Sequence, residues 1–410
     1  VKAGKRVQKK AQKRVQTQVQ KPSAQPTDQR TNAGAKIRTD RRTDRRAGKV
    51  AAATAAASRG ADTDAKTINL ALQGGGSHGA YTWGVLDALL EDGRLDFEGV
   101  TGASAGAMNA VVMADGWLDG LAAGRDPREA AREALRAFWE LIGRQPSVFS
   151  LNGAWGAMVP NPAQNLASNP MFLWMDLVSR LFSPYQLNPF NYNPLRSVLA
   201  ESIDFERLQR QAPCKLFVCA TNVRTGRPRV FREGELTLDM VLASACLPFA
   251  FQAVRVKTAQ EDDFFWDGGY MGNPALWPLF YSTASRDLLL VQINPLKRDE
   301  VPESAQEIAE RINEISFNAS LLHELRAIDF VQRLLAENRL DAKRYKKIWL
   351  HVASAEEQMK RFGASSKYNT SGAFLHQLFE LGRDTGRDWL DQKWAYVGHA
   401  PSVQIADTFL

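Results

Sequence analysis

The stretch that most limits how this chain can fold is Gly102-Ala103-Ser104-Ala105-Gly106. It follows the apolar run Phe97 to Val100 and opens an alanine-rich run, Ala105 to Ala114. That order reads as a strand, a sharp turn and a helix with a serine at the tip. Gly102 and Gly106 let the turn close, since a Cβ at either place would collide with the neighbouring strand or helix. The serine hydroxyl then sits at a helix N-terminus, where unpaired N–H groups favour developing negative charge.

Two further motifs stand in order around it. Thr67 to Leu72 reads as a buried strand that runs into Gly74-Gly75-Gly76-Ser77-His78-Gly79 and then into a helical stretch, Ala80 to Leu90. Downstream, Phe264-Phe265-Trp266 leads into Asp267-Gly268-Gly269. The glycine-rich loop, the G-x-S-x-G turn and the D-G-G turn together resemble the patatin-like phospholipases, a family of serine acyl hydrolases. The resemblance carries motifs from Thr67 to Leu296. It implies a three-layer α/β fold, Ser104 as nucleophile, and Asp267 acting on it directly as base, with no histidine between them. It implies no metal and no organic cofactor. Ala243 to Phe249 resembles the segment that precedes the aspartate strand and lines the site, and Asn273-Pro274 fits the family's continuation, shaping the aspartate turn. One position departs from the pattern: His78 stands where the family usually carries Arg or Lys, which removes support for head-group binding by the loop.

The charge is unevenly placed. Residues 1–66 hold 18 Lys/Arg and 5 Asp/Glu, while the rest holds 34 basic and 40 acidic residues, so the basic balance belongs to the tail. The tail has almost no large apolar residues and reads as disordered, because it cannot bury enough surface to offset the entropy of ordering. A solvated leader, an electrostatic tether to anionic lipid or nucleic acid, and an organelle transit peptide are its alternative readings. No apolar core follows the early basic residues, so no secretory signal is expected, and no run of about 18 apolar residues suggests a membrane span. Cys214, Cys219 and Cys246 lie in apolar contexts and read as small core residues of a reduced, cytoplasmic protein, with no Cys/His spacing for zinc.

From residue 67 onward the alternation of strand and helix patterns argues a mainly parallel sheet covered by helices. An amphipathic helix is expected over 126–142, opening on Asp126-Pro127. Residues 146–194, rich in Pro, Asn and aromatics, read as an insertion within the 67–410 domain and a candidate lid or acyl-chain wall, with helical pieces at 171–181 and 195–202. Strands are expected over 215–220, 288–293 and 347–352, and helices over 236–246, 304–338 and 372–394.

The chemistry asks for a nucleophile, a base and an oxyanion site. Gly74, Gly75, Gly76 and Ser77 are the candidate oxyanion hole, because consecutive glycine amides can point at one atom, with the amide of Ala105 as a further donor. Gly268 and Gly269 suit a carboxylate held against a backbone turn. A Ser-His-Asp triad is the mechanistic rival, needing one of His78, His323, His351, His376 or His399. A second rival reads Gly74-x-Gly76-x-x-Gly79 as a dinucleotide fingerprint with Asp92 or Asp96 on a ribose. A third is a non-catalytic scaffold that uses the basic tail to bind membrane or nucleic acid. The reading that uses every motif is hydrolysis of a lipid acyl ester through an acyl-enzyme on Ser104. Substrate then comes from a membrane or lipid surface, and nucleic acid is not an expected partner.

Overall fold

The structure is a computed structural model that describes residues 65–145, 178, 181–260 and 262–410. The basic tail up to residue 64 and residues 146–177 of the aromatic segment lie outside the described residues, as does most of the helix expected over 171–181. The elements run β1 (Lys66–Leu72), α1 (Gly79–Asp92), β2 (Leu95–Ala103), α2 (Ala105–Ala123), α3 (Pro127–Arg144), α4 (Pro194–Ser202), β3 (Lys215–Asn222), β4 (Pro228–Arg232), α5 (Leu238–Ser244), β5 (Val254–Lys257), β6 (Asp262–Asp267), β7 (Asp287–Gln292), α6 (Ala305–Ala336), β8 (Trp349–Ser354) and α7 (Gly372–Lys393), with short helical turns between them.

Among the described residues, one sheet carries all eight strands. β1 is parallel to β2 on one side and to β7 on the other, β3 is parallel to β2, and β8 is parallel to β7. β4, β5 and β6 pair antiparallel. The sheet is therefore mostly parallel, as the alternation of patterns predicts, and it has a core on each face. Side chains alternate along a strand, and the alternation sorts them cleanly. Ile68, Leu70 and Leu72 of β1 and Leu289 and Val291 of β7 join a core with α1, α2, α3 and α7. Ala71, Leu288 and Leu290 join a second core with Leu321, Leu325 and Ile328 of α6. Parallel strands buried on both faces read as unbroken apolar runs, which is why β1, β3 and β7 are visible in the sequence.

Helix ends follow local chemistry. Asp126 caps α3 by accepting from the N–H of Arg128, with Pro127 in the first turn. Thr237 caps α5, and Ser304 with Glu307 forms a capping box on α6. β2 starts two residues earlier and ends three later than its apolar run, because it pairs with β1 from Lys66 to Leu72 and with β3 up to Cys219.

The register around β3 positions everything that follows. β4 lies along one edge of β3, from Phe217 to Thr221. The other edge is divided between two strands. β2 covers it up to the pair Ala103 with Cys219, and β6 takes over from the opposite direction at the pair Asp267 with Ala220. The ends of β2 and β6 thus abut at consecutive residues of one strand.

Candidate active site

Ser104 follows Ala103 at the end of β2, so the abutting strand ends bring it beside Asp267, far away in sequence. The serine turns the chain into α2 with φ 51° and ψ −126°, a conformation that costs a non-glycine residue about 1–3 kcal/mol. It is held there. Its N–H is shared between the carbonyl oxygen of Ser244 at 3.1 Å and the Ser244 hydroxyl at 2.9 Å. The Ser244 hydroxyl in turn donates to the carbonyl of Cys219 at 2.6 Å, tying the turn to β3. Gly106 lies against the backbone of Leu72 and Gln73, where a side chain would run into the end of β1.

Asp267 is fixed at three points. Its N–H donates to the carbonyl of Cys246 at 2.8 Å, and its carbonyl accepts from Thr221 Oγ1 at 2.8 Å. Its Oδ1 accepts from the N–H of Gly269 at 2.7 Å. Oδ2 makes no hydrogen bond among the described residues, and the residue is 0% exposed. Burial pushes the carboxyl up to about 6, against the Gly269 amide, the Ser104 hydroxyl and the Lys367 ammonium, which favour its charged form. Ser104 itself is 6% exposed. A carboxylate with one oxygen held and the other unpaired, beside a hydroxyl at a helix N-terminus, can take a proton from that hydroxyl.

The glycine turn packs onto the serine. A Cβ at Gly74 would lie 2.7 Å from the Cβ of Ser104 and 2.6 Å from the Ala103 carbonyl oxygen. Both peptide groups of Gly74 are taken: its N–H donates to Asn273 Oδ1 at 2.6 Å, and its carbonyl accepts from Asn294 Nδ2 at 2.9 Å. No hydrogen bond among the described residues engages the N–H groups of Gly75, Gly76 or Ser77. Of the four amides named from the sequence, Gly74 serves the frame of the turn.

A family model described as patatin-like phospholipase matches residues 70–280, just over half of the chain. The chain belongs to the patatin-like phospholipase family. The glycine turn, Ser104 and Asp267 all fall inside the matched region. No curated protein matches it. Among solved structures, VipD from Legionella pneumophila is similar at 15% identity and a TM-score of 0.32, over 79% of this chain and 66% of that one. The heterodimeric ExoU–SpcU complex of the Pseudomonas aeruginosa type III secretion system is similar at 16% identity and a TM-score of 0.30, over 82% of this chain and 60% of that one. The chain thus spans less than two thirds of the length of either.

Within this patatin-like frame, none of the histidines hydrogen-bonds to Ser104 or Asp267. His78 is buried, with Nε2 2.7 Å from Ser366 Oγ, and burial followed by Lys367 and Arg298 pushes it down to about 3, so its ring is neutral. His351 lies between Asp287 and Ser402, at 2.9 and 3.0 Å. His376 is paired with Glu380, and His399 is exposed. The acids of the dinucleotide reading are engaged elsewhere, Asp92 with Arg94 and Asp96 with Arg128. Among the described residues, no group of His, Cys, Asp or Glu is arranged to hold a metal ion.

Ser244 reads in sequence only as part of a site-lining segment, and in the structure its hydroxyl braces the serine turn. Asn273 reads as shaping the aspartate turn, and its Oδ1 also holds the Gly74 N–H. Asn294 stands in sequence just past the strand expected over 288–293, yet its side chain bonds both the glycine turn and Gln73 Oε1. Phe317 of α6 packs its ring on Gly269 and Tyr270. These contacts join residues from distant segments, and no local pattern announces them.

Proposed function

We propose that the protein hydrolyses the acyl ester of a lipid through a Ser104–Asp267 dyad. The observation that carries the reading is the register on β3, which sets the strand-end serine beside a buried carboxylate with one unpaired oxygen. Ser104 Oγ attacks the ester carbonyl while its proton passes to Asp267 Oδ2. The oxyanion forms against the N–H groups of Gly75 and Gly76, with Ser77 and Ala105 close by, each donor worth about 3–4 kcal/mol of barrier. Collapse expels the alcohol, which takes the proton back from Asp267, and leaves the acyl chain on Ser104. Water then attacks the acyl-enzyme as its proton passes to Asp267, and the bond to Ser104 breaks with that proton returning to Ser104 Oγ as the fatty acid leaves. Burial raises the basicity of Asp267 above that of an ordinary aspartate, which suits it to proton transfer near neutral pH.

The test is covalent labelling. A fluorophosphonate should add once per chain, with the adduct on the peptide that contains Ser104, and block release of fatty acid from phosphatidylcholine. Full turnover with no adduct, or an adduct on another serine, would remove the assignment.

A lipid surface, met by a cytoplasmic protein, is the proposed source of substrate. Two segments near the site support it. Residues 181–195 and 247–254 contain no Asp, Glu, Lys or Arg. They expose Phe190 at 94%, Phe249 at 69% and Tyr192 at 65%. Gln252 Nε2 ties them together through the carbonyl of Asn188, and the second segment starts beside Cys246, which holds Asp267. Uncharged, aromatic surface suits the boundary of a neutral bilayer. At physiological salt, where the pull of a basic tail is screened, binding to phosphatidylcholine vesicles should fall about 10-fold or more in the double variant Phe190→Asp, Phe249→Asp, with thermal unfolding unchanged. Equal partitioning of the two proteins in a sedimentation assay would count against this surface.

A further inference from the structure

A half-buried cation lies beside the glycine turn and has no part in the mechanism above. Lys367 stands in the helical turn Ala364–Tyr368, outside the region that matches the family. Its segment meets the turn at two points, and its ammonium reaches the residues behind it. Gly76, at φ 57°, lies against the Lys367 carbonyl, where a Cβ would be 2.5 Å from the oxygen. The neighbouring Ser366 hydroxyl meets His78 Nε2. The ammonium donates to Asn294 Oδ1 at 2.8 Å and, at a longer 3.5 Å, to Asn313 Oδ1, and it lies 5.3 Å from the centre of the Phe317 ring.

The contact with Asn294 sets the orientation of that amide. An asparagine that accepts from an ammonium at Oδ1 must present Nδ2 on its other side, and there Nδ2 donates to the Gly74 carbonyl. Gly74 packs on the Cβ of Ser104. On the opposite flank, Phe317 links the ammonium to Gly269, whose N–H holds the Asp267 carboxylate. Lys367 is half-buried, and drawing an ammonium part-way out of water carries a cost that an apolar side chain of similar size would avoid.

We propose that Lys367 is a positioning residue of the acyl-transfer site, whose ammonium orients Asn294 and the glycine turn and supplies the positive charge that faces Asp267. This rests on the Ser104–Asp267 reading. The other charges around it are Glu310 and Glu314 of α6 and Arg298 after β7, with Arg298 and Arg311 both bonded to Glu314. His78 faces it as a neutral ring, and Tyr270, pushed up by burial, is a neutral phenol. Burial pulls the ammonium down to about 8, against Glu314, Asp267 and Glu310, which hold it up. Asp267 loses its proton near 6. The working pair, carboxylate and ammonium, is therefore complete between about pH 6 and about pH 8.

The experiment is the pH profile of kcat/KM for p-nitrophenyl butyrate with full-length wild type, Lys367→Arg and Lys367→Met, run beside Ser104→Ala. Wild type should give a bell with limbs near 6 and 8. Lys367→Arg, whose guanidinium stays charged, should keep the acid limb and move the alkaline limb upward by at least one pH unit. Lys367→Met should lose kcat about 10- to 100-fold with little change in KM, lose the alkaline limb, and move the acid limb upward as Asp267 loses its facing charge. An alkaline limb that stays near 8 in Lys367→Arg overturns the proposal, even if Lys367→Met does not fold. So does a folded Lys367→Met with the wild-type rate and profile. If Ser104→Ala is inactive while either of these holds, the role of Lys367 fails and the dyad stands; if Ser104→Ala is active, the dyad fails first.

Discussion

Replacing Ser104 with alanine should lower kcat/KM for p-nitrophenyl esters by about 10⁴-fold or more, as removal of a nucleophile does in a site whose residues act as a unit. The fold should not notice. The group of Ser104 that holds the turn is its backbone N–H, bonded to Ser244, and alanine keeps that N–H. Alanine also meets the same backbone strain at φ 51° as serine. Stability should therefore stay within about 1 kcal/mol of wild type. A series from butyrate to palmitate, run on both proteins, gives the acyl length the site accepts along with the test. Turnover of the variant within tenfold of wild type would mean that another residue attacks the ester.

Asp267→Asn should be comparably inactive, and it should be the more stable protein at pH 7.5. The folded-state value of Asp267, about 6, is raised above the ordinary value of about 4. Between those two values the native state holds a proton that the unfolded chain has released, so stability falls as pH rises through that window. Above it, the ionised carboxylate costs the native state about 3 kcal/mol relative to a neutral one. Asparagine avoids that cost and can still accept from the Gly269 N–H. The urea midpoint of Asp267→Asn should exceed that of wild type at pH 7.5 by an amount equivalent to about 1–3 kcal/mol, and the two should converge near pH 4. A variant less stable than wild type at pH 7.5 would show that the carboxylate is not held against its own solvation. The expected pattern is that of a functional group kept at a cost to stability.

The two chemical turns of the site were legible because each is written in contiguous residues. A strand that ends in glycines, a serine between glycines and an alanine-rich helix are short-range statements. The fold class followed from doubly buried strands such as Leu288 to Val291, which read as unbroken apolar runs. β4 and β5 were not legible. β4 is Pro228-Arg229-Val230-Phe231-Arg232, and β5 is Val254-Arg255-Val256-Lys257. Both alternate over so few residues that they pass for loop, and what makes them strands is the antiparallel ladder each forms with a neighbour. Of the polar side chains that frame the site, Asn294 and Lys367 gave no local sign, since their meaning lies in the backbone groups they meet across the fold.

By itself the sequence determined the strand-turn-helix that carries Ser104, the glycine turn beside it, and the alternation that makes a mostly parallel sheet. Periodicity and steric freedom act over a few residues, so a linear reading captures them. Tertiary structure alone decided that β2 and β6 meet end to end on β3, which sets Asp267 against Ser104. It decided too that burial raises the carboxyl, that Gly74 is spent on the frame of the turn, and that Lys367 stands behind it. Those outcomes depend on strand pairing and on the exclusion of water, and both exist only once distant segments have packed together.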